Sequence, residues 1–79
     1  HPNPFNPKTT IEFSLPEAAR VELEIFDTQG RHVDTLADGE FAAGPHALHW
    51  NASGEASGVY FYRITAGELR ETRRMILLK

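Results

Sequence analysis

Histidines and acidic side chains are the residues of this sequence whose types could hold a metal ion. His46 and His49 lie three positions apart, and residues at that spacing on a strand face opposite sides of a sheet. They cannot share one ion without a bulge, and the chain has no cysteine that could add a thiolate ligand. We therefore expect no histidine metal site and no cofactor.

Three acidic residues, Asp34, Asp38 and Glu40, carry carboxylates, which are the oxygen ligands that calcium prefers. Calcium needs several such ligands in a compact loop, and the spacing here matches no standard calcium loop. The pattern favours solvated acidic side chains in or near a turn, and calcium binding is the alternative.

Nucleophilic catalysis is the other chemistry to consider, and the sequence offers a weak setting for it. A serine, a histidine and an aspartate can be combined into a trio, but no nucleophile-elbow sequence and no glycine pair for an oxyanion hole accompany it. A chain of 79 residues also has a thin core, in which a deep substrate pocket is difficult to form. We expect no catalytic residue and no enzymatic activity.

Trp50 has two interpretations, as a core residue or as an exposed platform for a sugar ring. It lies in register with His46 and Leu48 on an alternating segment, which favours the core.

Nucleic acid is an unfavourable partner, because Lys and Arg number 8 against 11 Asp and Glu, for a net charge of −3. No apolar run approaches the roughly 20 residues of a membrane-spanning helix, so we expect no transmembrane segment.

The elements that position these residues are predicted to be short β-strands. Apolar residues alternate or cluster over residues 10–15, 20–27, 31–37, 45–51 and 59–66, and a last strand covers residues 69–79. Turn signals separate these segments at intervals of roughly 8–12 residues. The sequence therefore predicts an all-β fold, an antiparallel sandwich of about seven strands. Its predicted core contains Ile11, Phe13, Val21, Leu23, Ile25, Val33, Leu48, Trp50, Tyr60, Ile64, Met75 and Leu77.

Two turn signals flank the predicted strand over residues 31–37. Asp27 can bond to its own backbone and Gly30 can take a positive φ, so the segment between them is predicted to be a turn. Asp38 and Gly39 form the second signal. Residues 41–44 are then predicted to be a loop or a short edge strand.

A bulge and a hairpin are also predicted. Val33 and Leu36 are both apolar, and their spacing of three indicates a bulge or a twist rather than regular alternation. Gly67 and Glu68 separate the last two predicted strands and are expected to close a hairpin.

Both ends of the sequence hold candidates for recognition by another molecule. Residues 1–8 are rich in proline and are predicted to form a stiff extended arm, ahead of a single domain over residues 9–79. The last strand is basic in an otherwise acidic chain. This strand could be an electrostatic docking strip or an edge strand protected by charge against aggregation. Its basic residues are Arg70, Arg73, Arg74 and Lys79.

Four blocks of the sequence resemble a known family. In order, they are Pro2-Asn3-Pro4-Phe5-Asn6-Pro7 with Thr9-Thr10-Ile11, the segment from Val21 to Asp27-x-x-Gly30-Arg31, residues 57–63, and residues 72–79. Together they resemble the type A C-terminal sorting domains of the type IX secretion system. The immunoglobulin-like domain of flagellar-hook capping proteins is a related look-alike, and the Pro-Asn-Pro-Phe arm favours the sorting family.

The resemblance implies an immunoglobulin-like sandwich at the C-terminus of large secreted proteins of Gram-negative bacteria. It implies a passenger domain, linked upstream, that crosses the periplasm. The expected partners are a shuttle, a translocon and a sortase of the outer membrane, and the expected destination is the medium or the cell surface. The chain opens with His1 rather than Met, so we expect it to be a piece of a longer protein.

The function predicted from the sequence is thus a secretion and sorting signal. A structural or accessory module of a secreted hydrolase is one alternative, and a carbohydrate-binding module, which needs a row of exposed aromatic side chains, is another. The recognition residues that we predict are Pro2, Asn3, Pro4, Phe5, Asp27, Gly30, Arg31, Arg73, Arg74 and Lys79.

Overall fold

The computed structural model describes residues 8–78, which form six β-strands. The strands are β1 (Lys8–Leu15), β2 (Ala19–Phe26), β3 (His32–Phe41), β4 (Gly44–Asn51), β5 (Gly58–Ala66) and β6 (Leu69–Leu77). The described residues include no helix long and apolar enough to cross a membrane. The prediction of an all-β fold is confirmed, with six strands described where the sequence predicted about seven.

The strands form two antiparallel sheets that share one core. The small sheet contains β1 and β4, and the large sheet has the order β3-β2-β5-β6. Every neighbouring pair is antiparallel. Two layers of unequal width therefore face each other, two strands against four.

The length of β3 explains the difference in strand count. Asp38 and Gly39 do not form the predicted turn, because they lie inside this strand, opposite Glu22 and Val21 of β2. Pairing with β2 satisfies the backbone of this segment, and the carboxylate of Asp38 binds the guanidinium of Arg20. The predicted strand, turn and following segment thus merge into one strand of 10 residues that ends at Phe41.

The predicted irregularity in β3 is confirmed as two register shifts. Leu23 and Glu24 pair with Ala37 and Thr35, which leaves Leu36 as an extra residue. A second shift between Ile25 and Phe26 makes Val33 the other extra residue. Each residue breaks the alternation locally, which is why two apolar residues three apart both lie partly against the core.

The core lies between the two sheets and is formed by the inward positions of the strands. Val21, Leu23 and Ile25 of β2 are completely buried, and Trp50 of β4 covers them from the small sheet with 1% of its surface exposed. Burying such an apolar side chain contributes about 1.5–3 kcal/mol. Of the predicted core, Ile11, Val21, Leu23, Ile25, Trp50, Tyr60, Ile64 and Leu77 are buried, and Phe13, Val33, Leu48 and Met75 are partly buried against them.

Successive strands reverse direction, so the connections alternate between two ends of the sandwich. One end holds the β2–β3 turn at residues 27–31, the β4–β5 loop at residues 52–57, and the C-terminal end of β6. We call it the turn end. β1 also begins there, because Lys8 pairs with Asn51 at the end of β4. The opposite end holds the other connections, including the hairpin at Gly67 and Glu68.

Candidate recognition surface

The turn between β2 and β3 is held together by the carboxylate of Asp27. Its Oδ1 accepts hydrogen bonds from the backbone N–H of Gln29 at 2.9 Å and of Arg31 at 3.0 Å. Its Oδ2 accepts a bond from Nε of Arg31 at 2.9 Å. The Asp27 N–H donates in turn to the Arg31 carbonyl at 3.0 Å. A charged side chain therefore fixes both the path of this turn and one guanidinium on its surface.

The same hydrogen bonds change the acidity of Asp27. The bond from the backbone N–H of Arg31 is the largest contribution, and it holds the pKa of Asp27 below its ordinary value against the smaller opposing effect of desolvation. A carboxylate that accepts several N–H donors is stabilised in its charged form. Asp27 is thus ionised near neutral pH.

Gly30 gives the turn its conformation. Its φ is +81°, which lies in the left-handed region that a side chain disfavours. Its N–H donates to the carbonyl of Asp27 at 3.0 Å, and the side chain of Arg31 is 73% exposed. The geometry agrees with a structural role for Asp27 and Gly30 and leaves the guanidinium of Arg31 available on the surface.

A loop across the turn end is anchored to the core by Tyr60. The Tyr60 hydroxyl donates to the carbonyl of Ala56 at 2.7 Å, and its ring contacts Trp50 edge to face, with centroids 5.1 Å apart. Burial, with a smaller effect of the nearby Glu55 and Asp27, raises the pKa of Tyr60. A groove of about 360 Å³ separates this loop from the turn that Asp27 organises.

A row of four side chains crosses the outer face of the large sheet beside the turn end. Phe26 is opposite His32 on one side and Phe61 on the other, and Phe61 is opposite Arg74 of β6. The Phe26 and His32 rings meet edge to face at 5.8 Å. Register places Arg74 in this row, so it faces the same side as the aromatic residues.

The centre of this outer face is held by a charged residue that the sequence did not single out, Arg63. Its guanidinium lies 4.8 Å from the centre of the Phe26 ring. It also bonds to Oε1 of Glu24 at 3.2 Å, and the other oxygen of that carboxylate lies 3.7 Å from Nε2 of His32. An apolar Phe26 on the otherwise polar side of its strand was the available signal, but its partners depended on the register between β2 and β5.

The basic residues of β6 divide between its two faces. Arg70 and Arg74 point to the outer face, opposite Thr65 and Phe61 of β5. Arg73 points to the other face, where its Nη2 lies 3.1 Å from Oε1 of Glu71. A single basic strip containing all three arginines therefore does not form. Lys79 and the predicted arm residues Pro2, Asn3, Pro4 and Phe5 lie outside the described residues.

The residues considered for metal binding are dispersed. His46 lies between the rings of Phe13 and Phe41 at the end opposite the turn end, with its Nε2 donating to the carbonyl of Ala42 at 2.7 Å. His49 faces the other way, with its Nδ1 2.9 Å from the hydroxyl of Thr10. Asp34, Asp38 and Glu40 are spread along β3, and residues 8–78 include no group of three or more side chains that could hold a metal.

A family model described as a secretion system C-terminal sorting domain matches residues 1–78. No curated protein matches the chain, and no solved structure matches it.

Proposed function

Because this chain belongs to the family of secretion system C-terminal sorting domains, we propose that its folded surface is what the type IX machinery reads in order to export an attached passenger. A domain of this family is the C-terminal sorting signal of type IX secretion, and it directs secretion to the cell surface or the extracellular space. It is a signal and not itself a catalyst. The observation that carries the proposal is the match over residues 1–78, which includes every described strand.

We assign recognition to the turn end of the sandwich. Asp27 and Gly30 hold the turn in one conformation, and Arg31 is presented on it with most of its side chain exposed. Arg74 lies near the C-terminal end of β6, which is also at the turn end. It is opposite Phe61, which is in turn opposite Phe26 at the end of β2. A surface that is already ordered loses little entropy on binding, which favours affinity for a partner.

The arm and the last residue complete this surface in our proposal. Pro2, Asn3, Pro4 and Phe5 precede β1, which begins at the turn end, and Lys79 follows β6, which finishes there. A proline-rich segment is stiff before it binds, so it adds contacts at a small entropic cost. In this proposal residues 1–8 are the arm and residues 9–79 the sorting domain, with Lys8, the first residue of β1, at the junction.

The partners that fit this role are proteins of the outer membrane. Interaction with the type IX machinery follows from the family, and we propose a shuttle, a translocon and a sortase as the components that meet the domain. We further propose that the passenger, linked upstream, crosses the periplasm of a Gram-negative bacterium on its way to the cell surface. Nucleic acid is not a partner in this scheme, because the net charge is −3.

We also propose that the fold is a reduced immunoglobulin-like sandwich. Its support is the pairing of β2 with β3 and β5 in one sheet while β1 pairs with β4 in the other, so that the chain crosses repeatedly between the layers. The carbohydrate-binding alternative loses its main candidate, because Trp50 is only 1% exposed and its ring contacts Tyr60 edge to face.

The experiment that tests this function fuses residues 1–79 to a periplasmic reporter in a host that has the type IX machinery. We expect the reporter outside the cell, and Arg31→Glu is expected to reduce its export several-fold, with folding verified by circular dichroism. Glu68→Arg reverses one charge at the opposite end and serves as the matched control. Periplasmic retention of the unmodified fusion contradicts the function. Full export of the Arg31→Glu fusion contradicts only the assignment to the turn end.

A further inference from the structure

Among residues 8–78, strand β6 is a long edge strand of the large sheet. It is the last strand of the order β3-β2-β5-β6, and within residues 8–78 it pairs only with β5. All nine of its residues pair in unbroken register, from Leu69 opposite Ala66 to Leu77 opposite Gly58. Its other side therefore offers a row of backbone N–H and C=O groups that can accept a further strand.

The other edge of the same sheet differs in this respect. β3 carries two bulges, at Leu36 and Val33, and bulges twist an edge and interrupt its ladder. β6 has neither a bulge nor a proline, and charged side chains are the one common protective device that it carries. One edge of the sheet is thus unsuited to strand addition, and the other is well suited to it.

The charges on β6 indicate what kind of strand it accepts. Arg70 and Arg74 point to the outer face, and neither has an acidic partner within 4.0 Å among the described residues. Arg73, on the other face, is already paired with Glu71. Beyond Arg74 on the outer face, Ile76 is 60% exposed. Among residues 8–78, the edge therefore shows two cations without an acidic partner, four residues apart, followed by an apolar side chain.

We propose that an extended acidic segment of a partner protein adds to β6 as a fifth strand of the large sheet. Its acidic side chains, four residues apart on one face, lie opposite Arg70 and Arg74, and an apolar side chain lies against Ile76. Backbone hydrogen bonds supply affinity, and the cross-strand pairs supply selectivity. This inference rests on the proposed function, since it specifies the chemistry by which a component of the export machinery binds the signal.

A second copy of this chain is a poor occupant of the same edge. In an antiparallel pair of β6 strands centred on Thr72, Arg70 of each copy would lie directly opposite Arg74 of the other. Like charges in directly opposed positions destabilise a sheet. The charge pattern therefore selects an acidic strand over self-association.

The test uses the 79-residue chain and a synthetic nine-residue peptide that alternates threonine and valine and carries two glutamates four residues apart. Binding is followed by nuclear magnetic resonance of the backbone amides, with expected shifts concentrated in β6 and β5. A peptide with lysine in place of both glutamates is expected to bind at least about tenfold more weakly. Equal affinity for both peptides, shifts located elsewhere, or a β6-to-β6 dimer overturns the proposal.

Charge reversal in the protein gives the reciprocal result. Arg70→Glu with Arg74→Glu is expected to lose the acidic peptide and to bind the lysine peptide instead. Arg20→Glu, on the same face but two strands from the edge, is the control and is expected to retain the original preference. An unchanged preference in the double variant overturns the inference.

Proline variants test whether the backbone of the edge is involved. Thr72 and Arg73 are consecutive, so one N–H points to β5 and the other to the open edge. The variants are Thr72→Pro and Arg73→Pro. The one that stays folded is expected to lose peptide binding, because its proline removes an N–H donor that points to the open edge. If neither variant folds, slowed amide exchange in β6 of the unmodified protein on peptide addition is the deciding measurement, and unslowed exchange overturns the proposal.

Export separates this inference from the proposed function. If the unmodified fusion is exported and the double Arg70→Glu, Arg74→Glu fusion is exported equally well, the acidic-strand inference is wrong and the sorting function stands. If the unmodified fusion stays in the periplasm, the sorting function itself is wrong.

Discussion

At the residue scale, the side chain of Asp27 stabilises the whole β2–β3 turn from a single position. Its carboxylate accepts bonds from two backbone N–H groups and one guanidinium, so the turn that joins β2 and β3 is held in one conformation. The sequence predicted Asp27 and Gly30 as turn residues because their preferences are local. It did not predict the contacts of Arg63 with Glu24 and Phe26, because these depend on how two distant strands are aligned.

The lowered pKa of Asp27 makes a prediction about acid stability. A carboxyl group whose pKa is lower in the folded than in the unfolded state stabilises the fold above the unfolded value of about 3.9, and this stabilisation is lost as the pH falls through the folded value. We expect Asp27→Asn to melt at a lower temperature than the unmodified protein at about pH 7, and the difference to shrink as the pH falls below about 3.9. Thermal melts across that range measure the difference.

The control for this experiment removes a carboxylate elsewhere. Glu68→Gln changes an exposed residue in the β5–β6 hairpin, and its melting curve is expected to follow that of the unmodified protein more closely. If the difference between Asp27→Asn and the unmodified protein is the same at both ends of the pH range, the hydrogen bonds do not couple to ionisation.

The strands show how far sequence patterns predict an element and where they stop. Alternation identified the inward residues of β2 and β5 because the two-residue period is a property of the strand itself. The Asp38-Gly39 turn prediction was wrong because a local turn preference is weak compared with continuous pairing to a neighbouring strand, here the first half of β2. The bulges in β3 were indicated by a break in the alternation of apolar residues along the sequence. Their exact positions depended on the pairing of β3 with β2.

Two glycines test the difference between a turn and a strand. Gly30 has a φ of +81°, whereas Gly39 lies within the extended strand β3. At both positions an added methyl group would meet no atom within 4 Å, so the two sites differ in backbone conformation and not in available space. We expect Gly30→Ala to cost about 1 kcal/mol, a fall in melting temperature of roughly 4–8 °C, because of backbone strain. Gly39→Ala is expected to be neutral or slightly stabilising. Equal effects in thermal melts would show that turn strain is not the cause.

The whole molecule depends on a thin core of few side chains. The completely buried residues of largest volume are Trp50, Leu23, Ile25 and Val21, so the loss of one removes a large part of the packing. Domains of this length have stabilities on the order of 4–12 kcal/mol.

The fold class could be predicted from the sequence because the pattern of apolar and polar residues determines it. The arrangement of two strands against four could not, because it depends on which strands pair.

Truncation of a core residue is therefore expected to bring the domain close to unfolding. Leu23→Ala should cost about 2–5 kcal/mol through lost burial and a cavity. Ile76→Ala removes a similar side chain that is 60% exposed and should change stability by about 0.5 kcal/mol or less. Denaturant titrations compare the two midpoints. A similar small shift for both would mean that Leu23 is not part of a tightly packed centre.

β1 begins and β6 finishes at the turn end, and this placement has a mechanical consequence. When the strand beginning at Lys8 is pulled away from the place where β6 finishes, the load falls across the strands rather than along them. The hydrogen bonds between β1 and β4 lie across the strands and then open one after another, starting at the pair of Lys8 with Asn51. A domain loaded in this way peels apart under weak force, although the same bonds would resist strongly if they were sheared together.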